Sequence, residues 1–175
     1  PSWLSFNAAT GVLFGTPTNS DVGAHSVVLT ATDSQGAVDA QSFTITVSNV
    51  NDDPSVTTTA PTTVNEDAAY SYTFAATDVD SGDTVTLAAP TKPSWLTFNA
   101  ATGVLSGTPS NGDVGTHSVV LTASDTNGAV STQSFTISVN NLNTAPTVTS
   151  SEVVTVNEDA AYSYTFAATD VDSGD

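Results

Sequence analysis

A 92-residue period runs through this chain. Residues 1–83 align with residues 93–175 without a gap, and 62 of those 83 pairs are identical. Pro1-Ser2-Trp3-Leu4 returns as Pro93-Ser94-Trp95-Leu96, and Asn65-Glu66-Asp67-Ala68-Ala69-Tyr70 as Asn157-Glu158-Asp159-Ala160-Ala161-Tyr162. Near-identical copies in tandem imply an array of one structural unit, with stability summed from unit and neighbour terms.

Inside each copy the apolar pattern has period two. Phe43, Ile45 and Val47 alternate with Thr44, Thr46 and Ser48, and Phe135, Ile137 and Val139 repeat them. Tyr70, Tyr72 and Phe74 form a second such run, and Val27, Leu29 and Ala31 a third. This alternation predicts half-buried strands. Turn signals separate them, at Asn7-Ala8-Ala9-Thr10-Gly11, Gly15-Thr16-Pro17, Asn111-Gly112-Asp113 and Asp80-Ser81-Gly82-Asp83. No segment has a helical period. About seven short strands per repeat predict an all-β fold, a Greek-key antiparallel β-sandwich, with Trp95 as a core aromatic.

The boundaries fall at Asn51-Asp52-Asp53-Pro54 and Asn143-Thr144-Ala145-Pro146, where a strand runs directly into a short linker stiffened by proline. The expected organisation is the rear part of one repeat (1–50), a complete repeat (51–142) and the front part of a third (143–175). The two partial repeats allow two readings. Neighbouring residues of one continuous chain complete them, or residues 143–175 of one molecule complete residues 1–50 of the next, head to tail. The second reading leaves Thr84–Lys92 without a counterpart.

Charge sets the partners. Eighteen acidic residues face a single basic one, Lys92, for a net charge of −17. That balance excludes a phosphate-tracking nucleic-acid binder and argues against anionic membrane surfaces. No apolar run approaches the ~18 residues of a membrane span. No cysteine is present, so no disulfide staples the fold.

The acids are gathered rather than scattered: Glu66-Asp67, Asp78-Val79-Asp80 with Asp83, Asp113, Asp125 and the linker Asp52-Asp53. In a sandwich these positions are loops and strand ends. Oxygen ligands collected at domain ends suit Ca²⁺, which takes roughly 6–8 oxygens and tolerates loop geometry. The plainer reading is that loop acids serve solubility alone. An EF-hand reading of Asp78-x-Asp80 fails, because Asp83 stands where glycine is required and Ala89 where glutamate is required.

Ala76-Thr77-Asp78-Val79-Asp80-Ser81-Gly82-Asp83 resembles the cadherin A-x-D-x-D-x-G motif. Asn49-Val50-Asn51-Asp52-Asp53-Pro54 is similar to the cadherin linker D-x-N-D-N-x-P. Leu29 to Asp33 with Gly36 resembles the late cadherin strand, and Val64-Asn65-Glu66-Asp67 the early P-E-N segment. Asn7-Ala8-Ala9-Thr10-Gly11-Val12-Leu13 and Gly15-Thr16-Pro17 resemble the dystroglycan-type cadherin and Ig-like repeats of very large bacterial surface proteins. The resemblance implies calcium at the inter-domain junctions, ligated from both neighbouring domains. At the first junction it implies Asp21, Asn49, Asn51, Asp52, Asp53, Asp78, Asp80 and Asp125. At the second it implies Glu66, Asp113, Asn141, Asn143, Asp170 and Asp172. The chain departs from the family in two places. Asp113-Val114-Gly115 lacks the glutamate of the D-R-E motif, and the second linker lacks the Asp52-Asp53 pair. Fewer anionic ligands imply weaker binding at the second junction.

Catalysis finds little support. There is no Cys or Arg, and His25 and His117 are one position seen twice. The serines have no His-Asp partner at a plausible spacing. The expectation is a non-enzymatic, extracellular or cell-surface spacer, a filament-like segment of a bacterial adhesin whose partners are the adjacent repeats. The alternatives are repeats that are themselves adhesive, homophilically or toward a glycan, and an accessory module of a secreted hydrolase.

Overall fold

A computed structural model describes residues 1–172 of the chain. The period-two runs at 27–31, 43–47, 70–73 and 135–139 are strands. In chain order the strands are β1 (Leu4–Asn7), β2 (Val12–Gly15), β3 (Gly23–Thr32), β4 (Val38–Val47), β5 (Ser55–Val56), β6 (Thr63–Asn65), β7 (Tyr70–Thr73), β8 (Ala76–Thr77), β9 (Thr86–Thr91), β10 (Leu96–Asn99), β11 (Val104–Gly107), β12 (Gly115–Ser124), β13 (Val130–Asn140), β14 (Thr147–Val148) and β15 (Ala168–Thr169). Single 3-10 turns at Asn19–Asp21 and Asn111–Asp113 interrupt them. The chain packs as two units. One comprises Pro1–Ser55, Ala76–Thr86 and Ala123–Ser131; the other comprises Val56–Ala75, Leu87–Thr122 and the chain from Thr132 onward.

The second unit carries the core. A three-stranded sheet of order β10-β11-β7 and a four-stranded sheet of order β6-β13-β12-β9 supply its apolar faces. Leu96 and Leu105 from the first sheet, with Val119, Leu121 and Ile137 from the second, are fully buried. Their alternation with Thr and Ser puts hydroxyl groups on the outer faces, as a sandwich requires. One edge adds a parallel pair to the antiparallel sheets, where Val64 lies opposite Val139. Strands near opposite ends of a unit that continues in one direction enter and leave it travelling the same way. Trp95 sits at the rim rather than the centre. It is half-buried, edge-on to Tyr70 and His117 at 6.0 Å each. His117 Nε2 donates to the Asp113 carbonyl at 2.6 Å, so this histidine is a pairing residue.

The first unit contains the hairpin β1-β2 and the long pair β3-β4, in register from Gly23↔Val47 to Thr32↔Val38. It repeats the β10-β11 and β12-β13 geometry. Gly15 and Gly107 hold the same role in the two hairpins. A Cβ there would lie 1.9 Å and 2.0 Å from the Trp3 and Trp95 carbonyl oxygens, so no other residue fits.

Identical segments nevertheless adopt different states. Tyr70-Ser71-Tyr72-Thr73 is strand β7, paired with β11. Tyr162-Ser163-Tyr164-Thr165 has the same sequence and is not a strand. Strand β14 still pairs with β15, as β5 does with β8, because both partners of that pair are close in sequence. In the second copy the strand partners of β7 and β6 are β11 and β13, which come much later in the chain. Burial follows pairing: Tyr70, Tyr72 and Phe74 are 4%, 6% and 1% exposed, whereas Tyr162, Tyr164 and Phe166 are 55%, 37% and 66% exposed.

Phe74→Ala is therefore expected to cost about 3–5 kcal/mol of unfolding free energy. Phe166→Ala, the same change in the same local sequence, should stay within ~0.5 kcal/mol. Urea titrations of the dilute chain measure both, and equal losses would contradict the assignment of the core to the second copy.

Candidate metal centre

Two carboxylate clusters occupy the ends of the strands, one in each unit. In the first unit the turn after β8 folds Asp78 and Asp80 together, with the Asp80 N–H donating to Asp78 Oδ1 at 2.9 Å. The Asp52 backbone N–H donates to Asp80 Oδ2 at 2.8 Å, which ties the linker to that turn. Asn51 donates its side-chain amide to Asp125 Oδ2 at 2.7 Å. Asp125 is further held by the N–H groups of Asn127 (2.9 Å) and Ala129 (2.8 Å), so it closes the turn between β12 and β13.

Carboxylate oxygens of Asp78, Asp83 and Asp125 lie within 4.8 Å of one another. Asp80 and Asp125 are buried, and Asp78 Oδ2 is buried without a hydrogen-bond partner. Two carboxylates about 4 Å apart repel by roughly 1–4 kcal/mol at water-like to surface-like dielectric. Nothing cationic in the sequence can offset this. Lys92 is the only Lys or Arg, and its Nζ donates to the Leu96 carbonyl at 2.7 Å.

Asp21 stands apart from this network. Its carboxylate accepts from the Thr18 backbone N–H (2.9 Å) and hydroxyl (2.8 Å), bonds that hold its pKa below the ordinary value. Asn19, on the same 3-10 turn, does reach the cluster, donating to Asp52 Oδ2 at 2.6 Å. Asn49 and Asp53 are exposed.

The second unit repeats the plan. The Asp172 N–H donates to Asp170 Oδ1 at 2.8 Å, and the Thr144 N–H to Asp172 Oδ2 at 2.6 Å. Asn111 donates to Asp172 Oδ1 at 3.0 Å, taking the part of Asn19. Buried Glu66 accepts from the Leu142 N–H at 2.6 Å. Asn141, with its amide turned to donate, bridges Glu66 Oε1 at 2.8 Å and Asp172 Oδ1 at 3.3 Å. Asp113 is occupied by Ser110, as Asp21 is by Thr18. Asn143 is exposed beside the linker. The linker backbone thus serves both clusters alike, and the difference lies in the side chains, Asp52-Asp53 against Thr144-Ala145.

Sequence reasoning left three groups out of the ligand set. Asn19 and Asn111 were legible as a position kept in both copies. Asp83 was legible as the acid closing the Asp-x-Asp turn; Asp175, its counterpart, lies outside the described residues. Asn127 donates to Asp83 Oδ2 at 3.2 Å, but Gln35 stands at its position in the first copy, so repetition gave no signal. Every group in the first cluster is a carboxylate, an amide or a hydroxyl. This hard-oxygen set fits a calcium ion and lacks the imidazole and thiolate donors of a zinc or copper site.

An all-β sandwich with paired half-repeats is an Ig-like, cadherin-like architecture. The chain belongs to the Putative Ig domain family, which matches it over residues 1–48 and 53–140. Among solved structures, PcdhgB3 EC1-4 superposes with a TM-score of 0.65 at 21% identity, covering 98% of this chain and 47% of that one. Protocadherin Gamma B2 extracellular cadherin domains 1-5 superpose with a TM-score of 0.59 at 20% identity, covering 98% of this chain and 37% of that one. At such identities the likeness is one of fold. The endo-fucoidan hydrolase MfFcnA4 from glycoside hydrolase family 107 is 26% identical over 82% of this chain and 23% of its own. Its TM-score of 0.39 makes that superposition too loose to bear on this chain. The chain thus spans less than half the length of each of these proteins. No curated protein sequence matches it. Among the described residues, no helix is long and apolar enough to cross a membrane.

Asp125 titrates below the ordinary carboxyl value, chiefly because Asn51 donates to it, with burial opposing and the backbone N–H groups at Ala129, Gly128 and Asn127 assisting. A lowered folded value means stability that is complete above the ordinary 3.8 and lost as pH falls through the folded value. Asn51→Ala should move the Asp125 midpoint up toward 3.8, read by carboxyl carbon NMR; an unmoved midpoint would remove Asn51 as the cause.

Proposed function

We propose that this chain is a spacer segment of a repetitive extracellular surface protein, with repeats 1–50, 51–142 and 143–175 joined at linkers that calcium stiffens. The observation that carries the reading is the group Asp78, Asp83 and Asp125, within 4.8 Å, with a buried and unpartnered Asp78 Oδ2. Three negative charges so close need a cation, and the sequence has none to spare.

Calcium would supply positive charge and a demand for several oxygens at once. Asp78, Asp80, Asp83 and Asp125 would hold it beside Asn51, Asp52 and Asp53, with Asn49 and Asp21 belonging to the same joint. The Asn51–Asp125 and Asp52–Asp80 bonds pre-set the linker against the next turn. Without a cation the carboxylates repel and those bonds carry the linker alone. At the second joint Glu66, Asn141, Asn143, Asp170 and Asp172, with Asp113 nearby, form the corresponding set. The weakness of any catalytic constellation supports a mechanical role, and the cadherin-like fold supports an extracellular one. The acidity supports partners that are neighbouring repeats or cations rather than nucleic acid.

Affinity in the ~10⁻⁴–10⁻³ M range of extracellular modules is expected, and millimolar calcium should raise the melting temperature relative to chelator. Asp78→Asn with Asp125→Asn should remove most of that rise. Calorimetry showing no heat and melts showing no shift would overturn the calcium reading. The first joint should bind more tightly than the second, and Thr144→Asp with Ala145→Asp should narrow the gap. Unchanged second-site affinity in that variant would show that linker charge is not what separates the joints.

A further inference from the structure

Two asparagines of this chain precede glycine, Asn111 and Asn127, and both lie in turns of the second copy. The backbone nitrogen that follows an asparagine can attack that residue's own side-chain carbonyl carbon. Glycine, with no Cβ, leaves the approach open. We propose that Asn127 is a self-modification site, at which the Gly128 nitrogen converts the side-chain amide to aspartate and isoaspartate. The proposal does not rest on calcium.

The Gly128 nitrogen forms a bond to Asn127 Cγ while the bond from Cγ to Nδ2 breaks. Nδ2 leaves as ammonia, taking the proton that the glycine nitrogen gives up. The product is a cyclic succinimide, which water opens at either ring carbonyl. One opening restores the ordinary main chain as aspartate, and the other routes the main chain through the side chain as isoaspartate. Water is the only co-reactant, and nothing is oxidised or reduced.

Three features single out this position. Asn127 and Gly128 are both exposed, so water reaches the amide and ammonia can leave. Gly128 holds a left-handed φ of 93°, which favours glycine and so keeps an unhindered nitrogen beside the asparagine. The other Asn-Gly pair is held more tightly. Asn111 is half-buried, and its amide donates to buried Asp172 at 3.0 Å. Bonds from the Asp113 N–H to the Ser110 carbonyl (2.8 Å) and from the Val114 N–H to the Asn111 carbonyl (3.2 Å) close the turn around it.

The first copy has the same turn without the reactive pair, because Gln35-Gly36 stands there. Asp33 Oδ1 accepts from the Gln35 and Ala37 N–H groups at 2.9 and 2.8 Å. Asp125 Oδ1 accepts from Asn127 and Ala129 at the same two distances. Gly36 has a φ of 90°. The extra methylene of glutamine demands a larger ring and loses the proximity on which the attack depends.

The Asn127 amide is also a structural tie. Its Nδ2 donates to Asn51 Oδ1 of the linker and to Asp83 Oδ2, the latter at 3.2 Å. Conversion removes both bonds and sets a negative charge beside Asp83, which already lies within 4.8 Å of Asp78 and Asp125 carboxylate oxygens. Like charges so placed repel. Isoaspartate adds a methylene to the main chain between the two N–H groups that Asp125 holds, so the turn loses its fit as well.

Incubating the 175-residue chain in chelator at mildly alkaline pH tests the proposal, read by fragment mass spectrometry and isoaspartate methyltransferase labelling. The Asn127 amide is expected to be lost before that of any other asparagine, with Gln35 unchanged. Asn127→Gln should remove most of the early labelling. Fresh Asn127→Asp, which contains no isoaspartate, should melt below the fresh parent chain in chelator because the tie is gone. Earlier conversion at another asparagine would overturn the proposal, as would an Asn127 amide that stays intact where the urea-unfolded chain loses it. An Asn127→Asp melting temperature equal to the parent's would overturn the role of the amide as a tie.

Discussion

Backbone groups of a strand need a partner, and in this fold the partner comes from far along the chain. Asn65 meets Asn140 across 75 positions, and Tyr72 lies opposite Leu105. Most of the structure follows from that separation. Where both members of such a pair are present, strands form and the apolar faces close. In the third copy Tyr162 and Tyr164 keep their hydroxyl bonds but form no strand. The sandwich is thus assembled from two interdependent halves, and neither half buries its aromatics alone.

Charge is the second constraint, and it acts at the ends of the strands rather than between the sheets. Among the described residues every carboxylate except Asp39 of β4 lies in a turn, a linker or irregular chain rather than within a strand. Short hydrogen bonds from backbone N–H groups and asparagine amides hold them there. Those donors orient the carboxylates without neutralising them. The linkers share this frame, since the Asp52 and Thr144 N–H groups play equal parts. The frame is repeated along the chain while its charge is not, so one architecture can carry joints of different strength.

Much of the fold was legible in the sequence, for a simple reason. The 92-residue period and the period-two alternation are local properties, set by where side chains point along a strand. They defined an all-β, Ig-like chain and the segments that became β4, β7 and β13. Adding the family resemblance placed the acids of the Asp-x-Asp turn and the linkers in one set. Proximity within that set was less legible. Asp21 and Asn19 stand two residues apart on one turn, yet Asn19 bonds Asp52 and Asp21 bonds Thr18. Which of the two faces the linker depends on the turn's rotation, and no spacing rule reports that.

Two things lay beyond the sequence by itself. It determined that residues 70–73 and 162–165 have one strand-forming pattern, because they are the same residues. Only the tertiary structure decided that the first is a buried strand and the second is not, because strand formation requires a partner edge that pattern alone cannot supply. Likewise the sequence determined how many carboxylates the chain carries. The folded chain alone decided that Asp78, Asp83 and Asp125, drawn from two turns separated by some forty residues, converge within 4.8 Å. Distances across a sandwich are fixed by packing, and packing is a property of the assembled sheets.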